Sequence, residues 1–219
     1  LLISYYINKE KDVLKIEIEE TDLLFLDTAH VYPQLKKELE LSNFSSLFLD
    51  NCLNSKFLSI EKKNKKIIGA CFVGGIFNSN GIEILKEFQG TGIGKKLLNE
   101  IISECQKRKI NFLMGVFKPT NDISIKTHIK IGYLPMFTIF YNSDEGKEVV
   151  VILPFNLKGK LLAKSLKFFD TRVGNLIFII LFNLSRPFIK KLIAFNSQSM
   201  PYLDFKYAIK NFEKVSQTF

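Results

Sequence analysis

Apolar and charged residues alternate through "DVLKIEIEE", Asp12 to Glu20, the pattern of a strand with one face on a core. Thr21 and Asp22 then stand as caps ahead of "LLFLDTAHVYPQLKKELEL", Leu23 to Leu41. Its apolar residues recur at helical spacing, and Pro33 is expected to break or restart the helix. A shorter helix is predicted from Ser42 to Asn54. "KFLSIEKKNKKIIGACFVGGI", Lys56 to Ile76, reads as two strands joined by a polar turn at Lys62–Asn64. "GIEILKEF", Gly81 to Phe88, is a further strand that runs into a glycine-rich stretch. A helix over Gly94–Lys107, a strand over Ile110–Phe117 and a short helix from Asn121 to Ile131 follow. "LPMFTIFY" and "EVVVILPF" form a last strand pair around the loop "NSDEGKE". No internal repeat or low-complexity tract interrupts this order, which is that of a mixed α/β domain.

Beyond residue 155 the pattern changes. "LKGKLLAKSLKFFDTRVG" sets Leu157, Leu161, Leu162, Leu166, Phe169 and Val173 near one helical face. Lys158, Lys160, Lys164 and Lys167 surround that face, which makes a basic amphipathic helix. "NLIFIILFNL" follows, but its unbroken apolar run, Leu176 to Phe182, is seven residues long, whereas a membrane span takes about twenty. Asn183, Arg186 and Pro187 interrupt any extension, so no transmembrane helix is predicted.

Charge sharpens the same boundary. The formal net charge is +9, yet residues 1–154 hold 20 Lys/Arg against 19 Asp/Glu, while residues 155–219 hold 11 against 3 and 10 of the 21 phenylalanines. Two regions are therefore expected, 1–155 and 156–219. A hydrophobic share of 47% with 24% charged residues excludes a disordered chain. Cys52, Cys71 and Cys105 are odd in number and sit in apolar or helical contexts, which favours buried, reduced thiols and a cytoplasmic setting over a disulfide framework. With no CxxC and only His30 and His128, no metal site is expected. The sequence opens on Leu1 and Leu2 instead of Met and shows no recognisable signal peptide.

The chemistry concentrates in "EFQGTGIGKKLL", Glu87 to Leu98. Glycines leave backbone N–H groups unshielded, and a helix start adds unpaired N–H groups and a partial positive charge. Together they make an anion site, most often for phosphate. The P-loop pattern G-x-x-x-x-G-K-[ST] does not fit, because the glycines lie two apart and no Ser or Thr follows Lys95. The dinucleotide pattern G-x-G-x-x-G fails as well, since its third glycine, counted from Gly90, falls on Lys95.

Q-x-x-G-x-G does fit, as Gln89-Gly90-Thr91-Gly92-Ile93-Gly94. With its setting it resembles the GNAT superfamily of acetyl-CoA-dependent N-acetyltransferases, in which this motif joins the fourth strand to a long helix. A second stretch, "NDISIKTHIKIGY" (Asn121–Tyr133), resembles the family's later helix, with Asn121, Ser124, Lys130, Gly132 and Tyr133 in register. The resemblance covers roughly residues 12–155 and implies a GNAT-like mixed sheet of about six to seven strands flanked by helices, extended by a helical C-terminal region.

The resemblance also implies roles. The amides from Gly90 through Thr91, Gly92, Ile93 and Gly94 to Lys95, with Gln89 ahead of them, hold the CoA pyrophosphate. The strand end at Ile84 and Leu85 offers backbone groups to pantetheine and an N–H to the thioester carbonyl, and Asn121 belongs with the cofactor contacts. His128 stands where the family often has a tyrosine that protonates the departing thiolate; a histidine with a reference pKa of about 6.5 can carry that proton, or the slot can merely pack. Glu83 is the candidate general base, with a surface carboxylate as its competing description. His30 belongs to a region that helps to wall the acceptor site in the family, though an ordinary, partly exposed side chain is the preferred description. Cys71 is read as core, since direct transfer needs no covalent acetyl-cysteine.

The resemblance therefore implies a cytoplasmic enzyme that passes acetyl from acetyl-CoA to a primary amine by direct attack on the thioester, without a metal. The alternative is a CoA-binding module without turnover that serves as a scaffold for the tail. For the tail three coverings stand open: the domain itself or a second subunit, an anionic membrane surface on the inner side, or an acidic partner. The absence of any nucleic-acid-binding motif argues against nucleic acid.

Overall fold

Strand formation in the first half of the chain is set by non-local pairing. In the computed structural model, residues 4–7, 13–16, 22–27, 33–53, 55–75, 77–142, 146–189 and 202–217 are described, and their contacts divide them into two compact units that meet in sequence at Lys109 and Ile110. In the first unit β1 (Ser4–Ile7) pairs antiparallel with β2 (Val13–Ile16). A second sheet orders β3 (Asp22–Asp27), β4 (Phe57–Lys63), β5 (Lys66–Gly74) and β6 (Ser79–Ile84), antiparallel throughout.

β3 corrects the helix predicted from Leu23. The run Leu23-Leu24-Phe25-Leu26 is apolar at every position and fits either period; its pairing from Asp22 opposite Lys62 to Asp27 opposite Phe57 decides for a strand. Helix α1 (Pro33–Leu41) starts at the proline, whose fixed φ suits a first helical position. His30 lies outside the described residues. Helix α2 (Ser46–Leu53) begins four residues later than predicted. The β4–β5 hairpin turns through Asn64 and Lys65, both at positive φ, as two-residue hairpins require. Leu39, Phe44, Phe48, Leu58, Ile60 and Phe72 close the core against α1 and α2. Helix α3 (Ile93–Lys107) buries Leu97, Leu98, Ile101 and Cys105.

In the second unit β7 (Phe112–Phe117), β9 (Lys147–Pro154) and β8 (Leu134–Phe140) form an antiparallel sheet in that order, with helix α4 (Asp122–Ile131) between β7 and β8 in sequence. The mixed α/β architecture and its helical C-terminal extension are as expected, with four strands in the larger sheet of the first unit and three in the second.

The extension packs as helices α5 (Leu157–Leu166), α6 (Arg172–Ile189) and α7 (Phe205–Asn211). The single helix predicted over 157–174 is broken. A 3-10 turn at Lys167–Asp170 ends it, Thr171 is extended, and the Thr171 hydroxyl accepts from the Gly174 N–H to cap α6. Gly174 is required there, because a Cβ would lie 2.1 Å from the Phe168 carbonyl oxygen. Ala163 and Ile179 bury against Met136, Phe137, Phe140, Val150 and Ile152 of the sheet, with Phe169, Phe178 and Phe182 at the margin. Asn175 and Asn183 tie α6 down: Asn175 donates to the Thr138 carbonyl at 2.6 Å, and Asn183 both donates to and accepts from the Leu203 backbone at 2.9 Å. Among the described residues no single helix is long and apolar enough to cross a membrane.

Candidate functional site

The strand β6 delivers the glycine loop. Leu85 is buried, and its N–H still donates to Ile68 on the β5 side, at 3.0 Å, before a 3-10 turn at Lys86–Phe88 lifts the chain away. Two side chains then fold the loop back on itself. The Gln89 amide donates to the Ile84 carbonyl at 3.1 Å, and the Thr91 hydroxyl donates to the Phe88 carbonyl at 2.6 Å. Gly90 and Gly92 both take positive φ, +78° and +87°, and a Cβ at either would meet nothing within 4 Å. Left-handed backbone, not crowding, is what asks for glycine at these two positions, and the space beside them is open.

Gly92 sits at the N-cap of α3 and supplies no side-chain cap. The first loop amide to find an acceptor is that of Lys96, which donates to Gly92 at 3.1 Å. Among the described residues no acceptor engages the N–H groups of Gly90, Thr91, Gly92, Ile93, Gly94 or Lys95. Six consecutive donors at a helix start are thus unspent, a concentrated anion-binding surface. Lys95 is exposed beside them. Lys96 is not available in the same way: its ammonium lies 2.7 Å from Glu61, a carboxylate buried on β4 whose second oxygen has no hydrogen-bond partner. Sequence reading missed Glu61, because burial is continuous from Leu58 to Glu61 and gives no alternation to mark it.

Glu83, on β6, holds the start of α2. One carboxylate oxygen accepts from the Ser45 N–H at 2.9 Å, the other from the Ser45 hydroxyl at 2.6 Å. Both oxygens are engaged in tying a helix end to the sheet. Ser45 carried no signal in the sequence, since its partner lies 38 residues away.

Asn121 and His128 belong to the second unit. Asn121 is the N-cap of α4, its side-chain oxygen accepting from Ser124 N–H at 3.1 Å. Gly132 is the left-handed C-cap, and Tyr133 beyond it is buried. His128 is 3% exposed, packed against the Phe117 and Tyr133 rings, and its Nδ1 lies 2.7 Å from the Ser124 carbonyl oxygen. A carbonyl can only accept, so Nδ1 carries the proton and Nε2 of the neutral ring is an acceptor. Burial pushes the His128 pKa down, and the Ser124 bond opposes it only partly, so the neutral ring prevails at pH 7.

Three cysteines, Cys52, Cys71 and Cys105, lie among the described residues. All three are free and buried; burial raises each thiol, with Cys105 pushed up to about 12 and Cys71 higher still. Among the described residues no group of three or more His, Cys, Asp or Glu side chains could hold a metal ion.

Residues 21–133 match the model of the acetyltransferase (GNAT) family. Among solved structures, the ribosomal-protein-S18-alanine N-acetyltransferase from Escherichia coli is similar at 15% identity and TM-score 0.51, over 63% of this chain and 96% of that one. A GNAT acetyltransferase from Streptococcus pneumoniae is similar at 19% identity and TM-score 0.50, over 61% and 100%. A GNAT acetyltransferase from Elizabethkingia anophelis, solved with acetyl-CoA bound, shows 18% identity and TM-score 0.49 over 62% and 98%. Among curated proteins none matches the sequence significantly.

Proposed function

The chain belongs to the GNAT family of acetyltransferases, and from that premise we propose that it moves an acetyl group from acetyl-CoA directly to a primary amine. The observation that carries this reading is the row of six unspent amides from Gly90 to Lys95 beside open space. Such a row suits the CoA pyrophosphate, with the exposed Lys95 adding charge. The strand end at Ile84 and Leu85 leads into that loop, where the pantetheine arm would lie.

Direct transfer needs an uncharged amine, a new C–N bond to the thioester carbon, and loss of the C–S bond with the sulfur leaving as a thiolate. By the family resemblance alone, His128, standing where the family often has a tyrosine, is the candidate to carry the proton between these events. As the neutral ring it takes at Nε2 the proton that the attacking amine sheds, and as imidazolium it returns that proton to the thiolate. Both Glu83 oxygens accept from Ser45, which supports a part in positioning α2 beside its candidacy as general base.

A second reading, CoA binding without turnover, is favoured by one observation: the side chains of both Glu83 and His128 are held by bonds within the fold. Two variants and two assays separate the readings. Gly92→Asn keeps a residue that tolerates the left-handed backbone while filling the open space, and Lys95→Glu reverses the exposed charge. Each is expected to weaken acetyl-CoA binding by about tenfold or more with the fold unchanged, a loss of roughly 1.4 kcal/mol. Affinity that stays constant in both folded variants would sink the loop assignment. Thiol release from acetyl-CoA across a panel of primary amines tests turnover; tight binding with release on no amine leaves the scaffold reading.

A further inference from the structure

Helix α6 is apolar on the side that faces away from its own unit. Val173, Ile177, Ile180, Leu181, Leu184 and Phe188 recur at helical spacing, and all are exposed, Leu184 to 71% and Phe188 to 75%. The other side is already used: Ile179 is in the core, while Asn175 and Asn183 bond to neighbouring backbone. A helix that is apolar all round is ordinarily covered all round. Helix α5 repeats the pattern at smaller scale, with Leu157 and Leu161 exposed between Lys158 on one flank and Lys160 and Lys164 on the other.

Charge decides what covers this face. Residues 157–189 hold six Lys/Arg and one acid, Asp170, whose carboxylate already accepts from the Val215 N–H. Pairing the face with its copy would set six cations against six, and residues 1–154, with 20 basic and 19 acidic groups, offer no acidic excess to receive it. An anionic lipid surface supplies both needed parts, acyl chains for the leucines and headgroups for the lysines. The segments Leu157–Asp170 and Arg172–Phe188 together reach the length and mean hydropathy of a membrane span, but they are bent by 104°. Spanning would also strip the inner side of α6 from its protein core. A helix half in protein and half outside it fits the interface plane.

We propose that the outward faces of α5 and α6 dock the protein on an anionic membrane surface, with the leucine and phenylalanine stripe in the acyl boundary and the flanking lysines at the headgroups. The docking does not depend on the acetyl-transfer reading. Its test is cosedimentation of the full chain with vesicles of phosphatidylcholine alone and of phosphatidylcholine mixed with phosphatidylglycerol. Binding is expected on the mixed vesicles only, weakening about tenfold on going from low to physiological salt. Leu184→Gln with Phe188→Gln, and separately Lys158→Gln with Lys160→Gln and Lys164→Gln, should each cut binding by about tenfold with an unchanged melting temperature, since every altered side chain is exposed. Equal binding to neutral vesicles, or none to mixed ones, overturns the proposal. So does self-association that the Leu184 and Phe188 pair abolishes, which would assign the face to a second copy, or tighter capture by polyglutamate than by vesicles, which would assign it to an acidic protein.

Discussion

Gly92 and Gly94 are two residues apart and do different work, which makes them a local test of the loop. Gly92 needs its left-handed backbone and borders open space, whereas a Cβ at Gly94 would sit 3.6 Å from Ile82 and 3.8 Å from Ile84, an ordinary packing distance. Gly94→Ala is therefore expected to stabilise the fold by about 0.5–1 kcal/mol, as helix-interior alanines do, and to leave acetyl-CoA affinity within about threefold. A folded Gly94→Ala variant that no longer binds in a calorimetric titration would mean that the ligand approaches from the strand side. His128 gives a second residue-scale outcome through pH. Its folded pKa is depressed by burial, so the unfolded chain binds the proton more readily, and stability is full above about pH 6.5 and falls as pH drops toward the folded value. The melting temperature should accordingly fall between pH 7 and pH 5, and fall less in His128→Phe; identical slopes would show that the ring is not held neutral. Of these residues, the glycines were legible because their spacing is itself the signal. The state of His128 was not, because it depends on Phe117, Tyr133 and the Ser124 carbonyl closing around the ring.

Elements were legible where the pattern allowed one period and misread where it allowed two. Helix α4 was readable to within about a residue because Asn121 caps its start and Gly132 its end, both local signals. Strand β3 was not, because its four successive apolar residues satisfy helix and strand alike and its partners on β4, from Lys62 opposite Asp22 to Phe57 opposite Asp27, lie far ahead in the sequence. The break after α5 was hidden for a similar reason: Thr171 and Gly174 make a corner only because the Phe168 carbonyl comes close. The Glu83–Ser45 link is the element-scale counterpart, one carboxylate fixing where α2 begins. Glu83→Ala should cost about 1 kcal/mol, in the range of lost helix caps and modest because the contact is partly exposed, and Glu83→Gln about half of that. Chemical denaturation checks the sizes. If either variant instead loses activity at unchanged stability and acetyl-CoA affinity, with its pH–rate limb shifted, Glu83 is acting as a base and not as a tether.

At the scale of the whole molecule, the charge boundary near residue 155 was visible in the composition, but the destination of the aromatic tail was not. The structure spends that tail on the β7-β9-β8 sheet, where Ala163 and Ile179 cover Met136, Phe137, Phe140 and Ile152. Uncovering four such side chains would cost on the order of 6–12 kcal/mol at about 1.5–3 each. That rivals the total stability of a typical domain, about 5–15 kcal/mol. Removal of residues 157–219 is thus expected to yield an insoluble product. Aggregation alone, however, does not report which side of α6 faces the sheet. Two adjacent isoleucines do. Ile179 is 1% exposed in the core, and Ile180 is 47% exposed on the outward stripe. Ile179→Ala should destabilise the protein by about 2–5 kcal/mol through lost contacts and a cavity, and Ile180→Ala by less than about 0.5 kcal/mol in solution. Equal losses at the two positions in denaturant titrations, without vesicles present, would mean that α6 is covered on both sides by protein and would place the second cover on another copy of the chain.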